Sequence, residues 1–391
     1  MSSDSVVIIG SGLAGYNLAR ELRKLDAQVP IVVVSRDHAG FYSKPMLSNA
    51  LAGKKTAATL VMKAADKIGA EINARVLPHS TVERLDTQAR TVLLTSGEVL
   101  PYRDVVLALG ADPIRLPLKG NAANSVLSVN DLDDFAKFAE ALDHPDGVKR
   151  VTILGAGLIG CEFANDLLHR GIEPTVLDLA DRALGRLLPE AASLNLQTKL
   201  EAAGARFRFG VAVQSVDLAS DGPGLQITLT DGSTFNTDLV LSAIGLKPRT
   251  ALAAHAGLPV NRGIVVDRHL ATSAEHVYAV GDCAEVDGHN LPYVLPLMQQ
   301  ARALAAGLAG QKTAVAYPAM PVIVKTPACP TVVCPPPLDA QGEWTVTTTD
   351  DALEARFTAL GQPDKLLGFA LQGKAVSQRQ ALAAQIPPLW L

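Results

Sequence analysis

The sequence has few cysteines, no long apolar run and little net charge, and each lack excludes a class of protein. Its four cysteines are too few for a secreted fold held together by disulfides. No apolar run approaches the roughly 18–20 residues that span a bilayer, and the N-terminus does not resemble a secretion signal. The net charge of −4 points neither to nucleic acid nor to an anionic membrane. We therefore expect a cytoplasmic protein that is not an integral membrane protein and binds no nucleic acid.

What the sequence does contain is a large apolar fraction, 48% of 391 residues, which is enough for two or three domains. One pattern occurs twice. It reads VVIIGSGLAGYNLARELRKLDAQVPIVVVS near the start and RVTILGAGLIGCEFANDLLHRGIEPTVLDL from Arg150 onward. In each copy, β-branched runs flank a glycine turn and a segment of helical period, which predicts a βαβ unit. The copies start about 145 residues apart, too far for a solenoid repeat, so they predict two related domains.

Both units contain a G-x-G-x-x-G motif between the first strand and the helix. The first glycine makes the tight turn, the second lets the backbone approach a pyrophosphate, and the third lets helix and strand pack closely. Two such motifs in one chain predict two dinucleotides, one FAD and the other NAD(P). The residues expected to contact them are Ile9, Gly10, Ser11, Gly12, Leu13, Ala14 and Gly15 in the first unit, and Gly155, Gly157, Leu158, Ile159 and Gly160 in the second.

The end of the second strand distinguishes the two predicted nucleotide sites. In the second unit Asp178 is placed to accept hydrogen bonds from a ribose 2′-OH, which favours NADH over NADPH, although Arg182 and Arg186 lie nearby. In the first unit the matching place holds Ser35 and Arg36, with a carboxylate only at the next residue, Asp37. Either Ser35 and Arg36 contact the FAD ribose, or Asp37 does.

A third motif indicates the class. TSAEHVYAVGDCAEV, at 272–286, resembles the signature of FAD enzymes of the glutathione-reductase structural class, in which the aspartate after the glycine binds the FAD ribityl chain. The matching residues here are Gly281 and Asp282. The resemblance implies an α/β fold of two three-layer, Rossmann-like domains plus a small α+β C-terminal domain. We expect the FAD domain at 1–115 and 247–320, the NAD domain at 116–246 and the C-terminal domain at 321–391.

Within that class, the sequence resembles the rubredoxin reductases. Six strings carry this resemblance: GSGLAGYNLARE, YSKPMLS, GAGLIGCEFANDL, VNRGIVVDR, GDCAEVDG and PVIVKTPACP. It implies that hydride passes from NADH to N5 of FAD and that single electrons then pass to rubredoxin, in turn serving an alkane hydroxylase. Rubredoxins are acidic, so we expect a basic rim near the flavin edge and association that slows as salt is raised. We expect a monomer or weak dimer.

The resemblance also carries individual residues over. Lys44 resembles a basic residue that contacts FAD, Glu162 a glutamate between NAD and the flavin, and Lys325 a lysine that contacts the flavin. Val82 and Val294 occupy positions that line the FAD pocket in the family. These similarities suggest a Lys44–Glu162 pair near N5 and a cation at Lys325 that stabilises the reduced flavin.

Several flavoenzymes that begin in this way have two redox cysteines where this chain reads GFYSKPMLSNALAG, which contains none. Cys329 and Cys334 have the C-x4-C count, but in an extended strand they would lie about 16 Å apart, beyond the roughly 7 Å limit for a disulfide. Cys161 and Cys283 are expected to be packing residues, and no metal site is expected. Electrons should therefore leave the flavin directly for a protein carrier.

Two alternatives remain open. The first is a reductase for a [2Fe–2S] ferredoxin, or an NADH oxidase, with the same fold. The second is a flavoprotein that binds NADH only to change partners in signalling. Reoxidation of the reduced protein by rubredoxin, ferredoxin and oxygen would separate the first from rubredoxin reduction. Slow reduction by NADH with a change of oligomer size would favour the second.

Overall fold

The computed structural model describes residues 4–144, 147–220 and 222–390. The helices are α1 (Leu13–Leu25), α2 (Ala57–Leu60), α3 (Ala65–Glu71), α4 (Leu132–Leu142), α5 (Leu158–Leu168), α6 (Glu190–Ala202), α7 (Ala251–His255), α8 (Val294–Leu308) and α9 (Arg379–Ala383). Short 3-10 turns lie at Lys44–Asn49, Ala123–Ser125, Gly281–Cys283 and Lys374–Gln378.

The strands are β1 (Val6–Ile9), β2 (Ile31–Val34), β3 (Ala74–Leu77), β4 (Val82–Asp86), β5 (Thr91–Leu94), β6 (Val99–Pro101), β7 (Asp104–Leu107), β8 (Ala111–Pro113), β9 (Arg150–Leu154), β10 (Glu173–Asp178), β11 (Arg206–Phe209), β12 (Val213–Leu218), β13 (Leu225–Leu229), β14 (Thr234–Thr237), β15 (Leu239–Ser242), β16 (Leu246–Pro248), β17 (Ile264–Val266), β18 (Val277–Ala279), β19 (Ala284–Val286), β20 (Val322–Val324), β21 (Thr331–Cys334), β22 (Gly342–Thr348), β23 (Ala352–Ala359) and β24 (Gln362–Gly373).

The first sheet is parallel throughout and draws on distant parts of the chain. Its strands lie in the order β18-β7-β1-β2-β3. β1 and β2 are buried along their whole length, which explains their unbroken runs of Val and Ile. The glycine turn before α1 and the turn after β18 follow the carboxyl ends of strands in this one sheet, which is where open α/β sheets bind ligands.

The second sheet repeats this arrangement on a smaller scale. Its parallel strands lie in the order β11-β10-β9-β15, and α5 connects β9 to β10. Antiparallel three-stranded sheets accompany each unit, β4-β5-β6 in the first and β12-β13-β14 in the second. The chain enters and leaves the second unit through β8 and β16, which pair with each other.

The last sheet is antiparallel, with strand order β20-β21-β24-β23-β22. One apolar core unites it with the second unit and with the segment after β2, because Leu47, Phe163 and Val333 all belong to it. The expected α/β fold with two Rossmann-like units and a small C-terminal part is thereby confirmed. Among the described residues, no helix is both long and apolar enough to cross a membrane.

Candidate functional site

The first glycine motif has the geometry that a pyrophosphate requires. Gly10 has φ +121°, and a Cβ there would lie 2.1 Å from the carbonyl oxygen of Ala108. A Cβ on Gly15 would lie 2.0 Å from the carbonyl oxygen of Gly10, so α1 can approach β1 only with glycine at this place. A Cβ on Gly12 would meet nothing within 4 Å. Open space therefore lies above the N-terminus of α1, where backbone N–H groups can bind phosphate.

The second glycine motif has the same division of roles. Gly155 has φ +103°, and its Cβ would lie 2.7 Å from the carbonyl oxygen of Ala243. A Cβ on Gly160 would lie 1.9 Å from the carbonyl oxygen of Gly155, while Gly157 faces open space. The residues of both motifs thus fit a dinucleotide, since steric need explains two glycines of each motif and space for a ligand explains the third.

At the end of β2, three polar side chains form a network beside the first motif. The hydroxyls of Ser11 and Ser35 lie 2.6 Å apart, and Ser35 donates to Asp37 Oδ1 at 2.6 Å. Burial raises the pKa of Asp37, but hydrogen bonds from Ser35 and from the N–H of Ala39 outweigh it and hold the pKa below its ordinary value. Arg36 is exposed. The predicted contact residues Ser11 and Ser35 are therefore brought together, and Asp37 orients them.

Asp178 lies at the end of β10 and faces the second glycine motif. Its Oδ2 accepts a hydrogen bond from the N–H of Ala156 at 2.6 Å, and its Oδ1 accepts one from the N–H of Ala180 at 2.8 Å. Each oxygen keeps a further lone pair for a ribose hydroxyl. Of the nearby cations, Arg182 is held by Asp181 at 3.0 Å and Arg186 is exposed.

The turn after β18 packs directly on the first motif. Gly281 has φ +76°, and a Cβ there would lie 2.7 Å from Cβ of Ala14. Burial raises the pKa of the neighbouring Asp282 carboxyl, while the charge of Lys44 opposes the shift. Among the described residues, none donates a hydrogen bond to this carboxylate. A half-buried acceptor of this kind beside the glycine motif fits the hydroxyls of a bound FAD.

Lys44 begins the 3-10 turn that follows the first unit. Its Nζ donates to Asn130 Oδ1 at 2.6 Å, and Asn130 in turn donates to the carbonyl oxygen of Ala111 at 3.0 Å. Burial lowers the pKa of Lys44, although the charge of Asp282 acts against this. The charges of Lys44 and Asp282 therefore act on each other.

Glu162, the fifth residue of α5, is completely buried and has three donors. Ser48 donates to Oε2 at 2.5 Å, the N–H of Lys325 donates to Oε1 at 2.9 Å, and Lys325 Nζ pairs with Oε2 at 2.5 Å. We expected Lys44 to pair with Glu162, and this was wrong. Lys325 pairs with Glu162 instead, and Lys44 is bound by Asn130. Ser48 lies within the quoted string YSKPMLS, but its contact was not predicted.

Two further residues of α5 extend this junction. Asp166 accepts hydrogen bonds from the N–H groups of Leu51 and Ala52, both at 2.8 Å, and burial raises its pKa. Asn165 Oδ1 accepts one from the N–H of Ala328 at 3.0 Å. One face of α5 therefore binds the segment after Lys44 on one side and the segment after Lys325 on the other. No motif in the sequence pointed to Asn165 or Asp166.

The remaining expected residues belong to β1, α1, β4, α5 and α8. Val82, in β4, is half-buried against the core of the first unit, and Val294 begins α8 with 40% of its surface exposed. Leu158 and Ile159 begin α5, with Ile159 partly exposed. Ile9 ends β1 and Leu13 begins α1. Their contacts with a cofactor stay predictions.

All four cysteines are free and buried. Cys329 and Cys334 belong to different apolar clusters, and burial raises the pKa of Cys334 to about 11. Cys161 and Cys283 are fully buried, and burial raises their pKa values to about 12 and about 11. Thiols this basic are poor nucleophiles at neutral pH. Within the described ranges, no group of His, Cys, Asp and Glu residues could hold a metal ion.

Comparison with protein families agrees with this geometry. Residues 4–305 match the pyridine nucleotide-disulphide oxidoreductase family, and residues 314–386 match the rubredoxin binding C-terminal domain. The chain belongs to the pyridine nucleotide-disulphide oxidoreductases, whose cofactors here are FAD and NADH. Within that family it belongs with the rubredoxin reductases, as the sequence resemblance implied.

Individual relatives support the narrower grouping. The chain is 47% identical to the rubredoxin-NAD(+) reductase of Alcanivorax borkumensis, over 98% of this chain and 99% of that protein. It is 45% identical to the enzyme of the same description from Acinetobacter baylyi, over 98% of both chains. A nitric oxide reductase FlRd-NAD(+) reductase from Vibrio vulnificus is 37% identical over 98% of both chains.

Solved structures show the same fold. The structure of a covalent putidaredoxin reductase–putidaredoxin complex matches with a TM-score of 0.88 and 28% identity, over 99% of this chain and 94% of that chain. A ferredoxin reductase from Rhodopseudomonas palustris matches with a TM-score of 0.87, also at 28% identity, over 98% of this chain and 95% of that one.

Proposed function

We propose that this protein is an FAD-dependent NADH:rubredoxin reductase. One observation carries the proposal. Lys325, within the region that matches the rubredoxin binding domain, pairs with Glu162 at the start of α5. Ser48, from the segment that follows the first unit, meets the same carboxylate. The two nucleotide units and the C-terminal part thus converge on one buried ion pair, so electron entry and electron exit share one junction.

The first unit binds FAD, which when bound accepts a hydride from NADH and releases the two electrons singly. The N–H groups at the start of α1 bind its pyrophosphate, and Gly12 leaves the space for it. Ser35 would bind the adenine ribose of FAD, and Asp282 would bind its ribityl chain. Lys325 and Lys44 place positive charge at the site, which stabilises negative charge as it develops on reduction.

The second unit binds NADH. The open space over Gly157 takes the pyrophosphate, and Asp178, already oriented by the N–H groups of Ala156 and Ala180, accepts hydrogen bonds from the ribose hydroxyls. A 2′-phosphate would be repelled by this carboxylate. Glu162 is a positioning residue, because within the part of the chain that the structure describes its carboxylate is bound by Lys325 and Ser48.

The basic rim for an acidic rubredoxin includes Lys54 and Lys55. Both are exposed and lie in a turn in which the N–H of Lys54 donates to the carbonyl oxygen of Leu51 at 2.9 Å. Leu51 is bound in turn by Asp166 of α5, one turn beyond Glu162. The two lysines therefore belong to the turn that α5 binds through Asp166, on the helix that also carries Glu162.

The higher identity to rubredoxin-NAD(+) reductases, 45–47% against 37% for the FlRd-NAD(+) reductase, favours free rubredoxin as the partner. We further propose that this rubredoxin serves an alkane hydroxylase, and that the protein works in the cytoplasm as a monomer or weak dimer. The proposed domain limits are 1–115 with 247–320 for FAD, 116–246 for NADH and 321–391 for the C-terminal domain.

Steady-state turnover of the holoenzyme with purified rubredoxin tests the proposal. The rate should be saturable in rubredoxin, and kcat/KM for NADH should exceed that for NADPH by at least about 10-fold, since one charged contact is worth roughly 1.4 kcal/mol or more. Replacing Asp178 with alanine should remove most of this preference. The matched control is Glu190→Ala, which removes an exposed carboxylate at the start of α6 in the same unit. A wild-type preference for NADPH would contradict the role of Asp178.

A further inference from the structure

The chain near its end returns to the first unit and closes on it. Tyr317 and Trp390 form an antiparallel bridge, in which the N–H of Tyr317 donates to the carbonyl oxygen of Trp390 at 3.0 Å. The N–H of Leu389 donates to the carbonyl oxygen of Tyr317 at 2.8 Å. The rings of Tyr317 and Trp390 stack with centroids 4.8 Å apart and planes 21° apart. Tyr317 is fully buried beneath this contact.

From Tyr317, a chain of hydrogen bonds leads to the turn that presents Asp282. Gln300 of α8 donates from Nε2 to the Tyr317 hydroxyl at 2.7 Å, and its Oε1 accepts from the N–H of Gly281 at 2.7 Å. Gln300 is buried, so both ends of its amide need partners. The N–H of Gly281 can only donate, so Oε1 of Gln300 must face it, and the Tyr317 hydroxyl then accepts from the NH2 group at the other end. Only in that orientation is the N–H of Gly281 satisfied.

A second path leads from Trp390 to the same turn through His289 and Asn290. The ring of His289 meets Trp390 edge-on, with centroids 5.2 Å apart. The next residue, Asn290, donates from Nδ2 to the carbonyl oxygens of Asp282 at 3.0 Å and Ala284 at 2.8 Å. Trp390 therefore packs on both segments that hold Gly281 and Asp282 in place.

We propose that Tyr317 and Trp390 are positioning residues for the FAD site, and that the C-terminal segment retains the cofactor by fixing the Gly281–Asp282 turn through Gln300 and Asn290. This inference rests on the assignment of Asp282 to FAD. The turn must hold its shape against the first glycine motif, because Gly281 already lies too close to Ala14 to admit a Cβ. Loosening the turn moves the carboxylate of Asp282, which accepts no hydrogen bond from the described residues and so can accept them from the cofactor.

The dissociation constant of FAD, measured by flavin fluorescence on reconstitution of the FAD-free protein, tests this. Tyr317→Phe keeps the stacked ring but removes the acceptor of Gln300, so FAD should bind about 3- to 10-fold more weakly, the range expected for one net hydrogen bond. Trp390→Ala removes the stacking and should weaken FAD binding by at least as much. Trp390→Phe, which keeps an aromatic ring, should restore most of the affinity.

The matched control is Trp344→Ala. Trp344 is also half-buried, and it packs edge-on against Phe357 in the last sheet, away from the Asp282 turn. It should lower thermal stability without changing FAD affinity. The inference is overturned if Tyr317→Phe and Trp390→Ala bind FAD like the wild type, or if Trp344→Ala weakens FAD binding as much as they do. Asp282→Asn tests the assignment of Asp282 to FAD separately from the role of Tyr317 and Trp390. If it leaves FAD affinity unchanged, the assignment of Asp282 fails, and this inference fails with it.

Discussion

The carboxylate of Glu162 binds Lys325 twice, through the backbone N–H at 2.9 Å and through Nζ at 2.5 Å. The two residues are 163 positions apart in the chain. A completely buried carboxylate is stable only when it is paired and hydrogen-bonded, so this contact both fixes the C-terminal part on α5 and fixes the position of the lysine charge. The consequences for activity can be measured.

Replacing Lys325 with methionine should slow reduction of the bound flavin by NADH about 10- to 100-fold. This slowing is smaller than the slowing expected when an enzyme loses a fully buried hydrogen-bond donor to a developing anion. The reason is that a quarter of the Lys325 side chain is exposed to solvent. The flavin midpoint potential should fall as well. Anaerobic stopped-flow and a redox titration measure both quantities. Lys374→Met, which breaks the exposed pair with Asp351, is the matched control and should change neither.

The pH dependence of the stability of the FAD-free protein should contain a contribution from Asp282. Burial raises the pKa of this carboxyl in the folded state, so the folded protein binds the proton more tightly than the unfolded chain does. The contribution to stability is complete below the ordinary aspartate pKa of about 3.9 and is lost as pH rises through the folded-state value. The free energy of unfolding of the wild type, minus that of Asp282→Asn, should therefore fall as pH rises.

Urea titrations at several pH values measure that difference. Asp26→Asn is the matched control with the opposite sign, because hydrogen bonds from the N–H groups of Gln28 and Val29 lower the pKa of Asp26. Its contribution should be present above the ordinary pKa and should disappear as pH falls. A difference for Asp282 that rises with pH would show that this carboxyl is not the buried, proton-retaining group that we describe.

Removing both Cys329 and Cys334 should leave electron transfer intact. The two thiols are free, buried and in separate apolar clusters, so neither can relay electrons as a dithiol. The Cys329→Ser, Cys334→Ser double variant should reduce rubredoxin within about twofold of the wild-type rate, although it should be less stable because two buried sulfurs are replaced by hydroxyls. Normal flavin reduction with a large loss of rubredoxin reduction would reveal a redox role for the pair.

Reversing the charge of Lys54 and Lys55 should affect only the second half of the reaction. Lys54→Glu with Lys55→Glu should slow association with an acidic rubredoxin about 10-fold or more at low salt, and the defect should shrink as salt screens the charges. Reduction by NADH should be unchanged. Lys24→Glu, at the end of α1 opposite the glycine motif, is the control. Equal effects of the two changes would exclude a specific role for the Lys54–Lys55 turn.

Local sequence pointed to those candidate site residues that lie within one strand–turn–helix unit. The glycines and Asp178 could be singled out because their expected roles follow from backbone geometry and a fixed spacing, whereas the Gly281–Asp282 turn came from resemblance to a family signature. Hydrophobic periodicity predicted the two βαβ units, and the resemblance supplied the rest of the fold class. These predictions needed no knowledge of how the units pack together.

Contacts between units could not be predicted in this way. The resemblance identified Glu162 and both lysines, but the chain alone does not tell which lysine reaches the carboxylate, and Lys44 proved to be bound by Asn130. Ser48 and Asp166 have no local signature, because their partners lie more than 100 residues away. Such contacts depend on the docking of α5 against two other segments, which is a tertiary property.

Reoxidation of the NADH-reduced holoenzyme tests the central proposal most directly. The enzyme is reduced anaerobically with one equivalent of NADH and mixed in a stopped-flow with rubredoxin, a [2Fe–2S] ferredoxin or oxygen. We predict that rubredoxin reoxidises it fastest, that each reduced enzyme yields two reduced rubredoxins, and that the rate falls as salt is raised. Reoxidation by oxygen or ferredoxin at the same rate as by rubredoxin, or a rate that does not respond to salt, would contradict electron transfer to a docked, acidic rubredoxin.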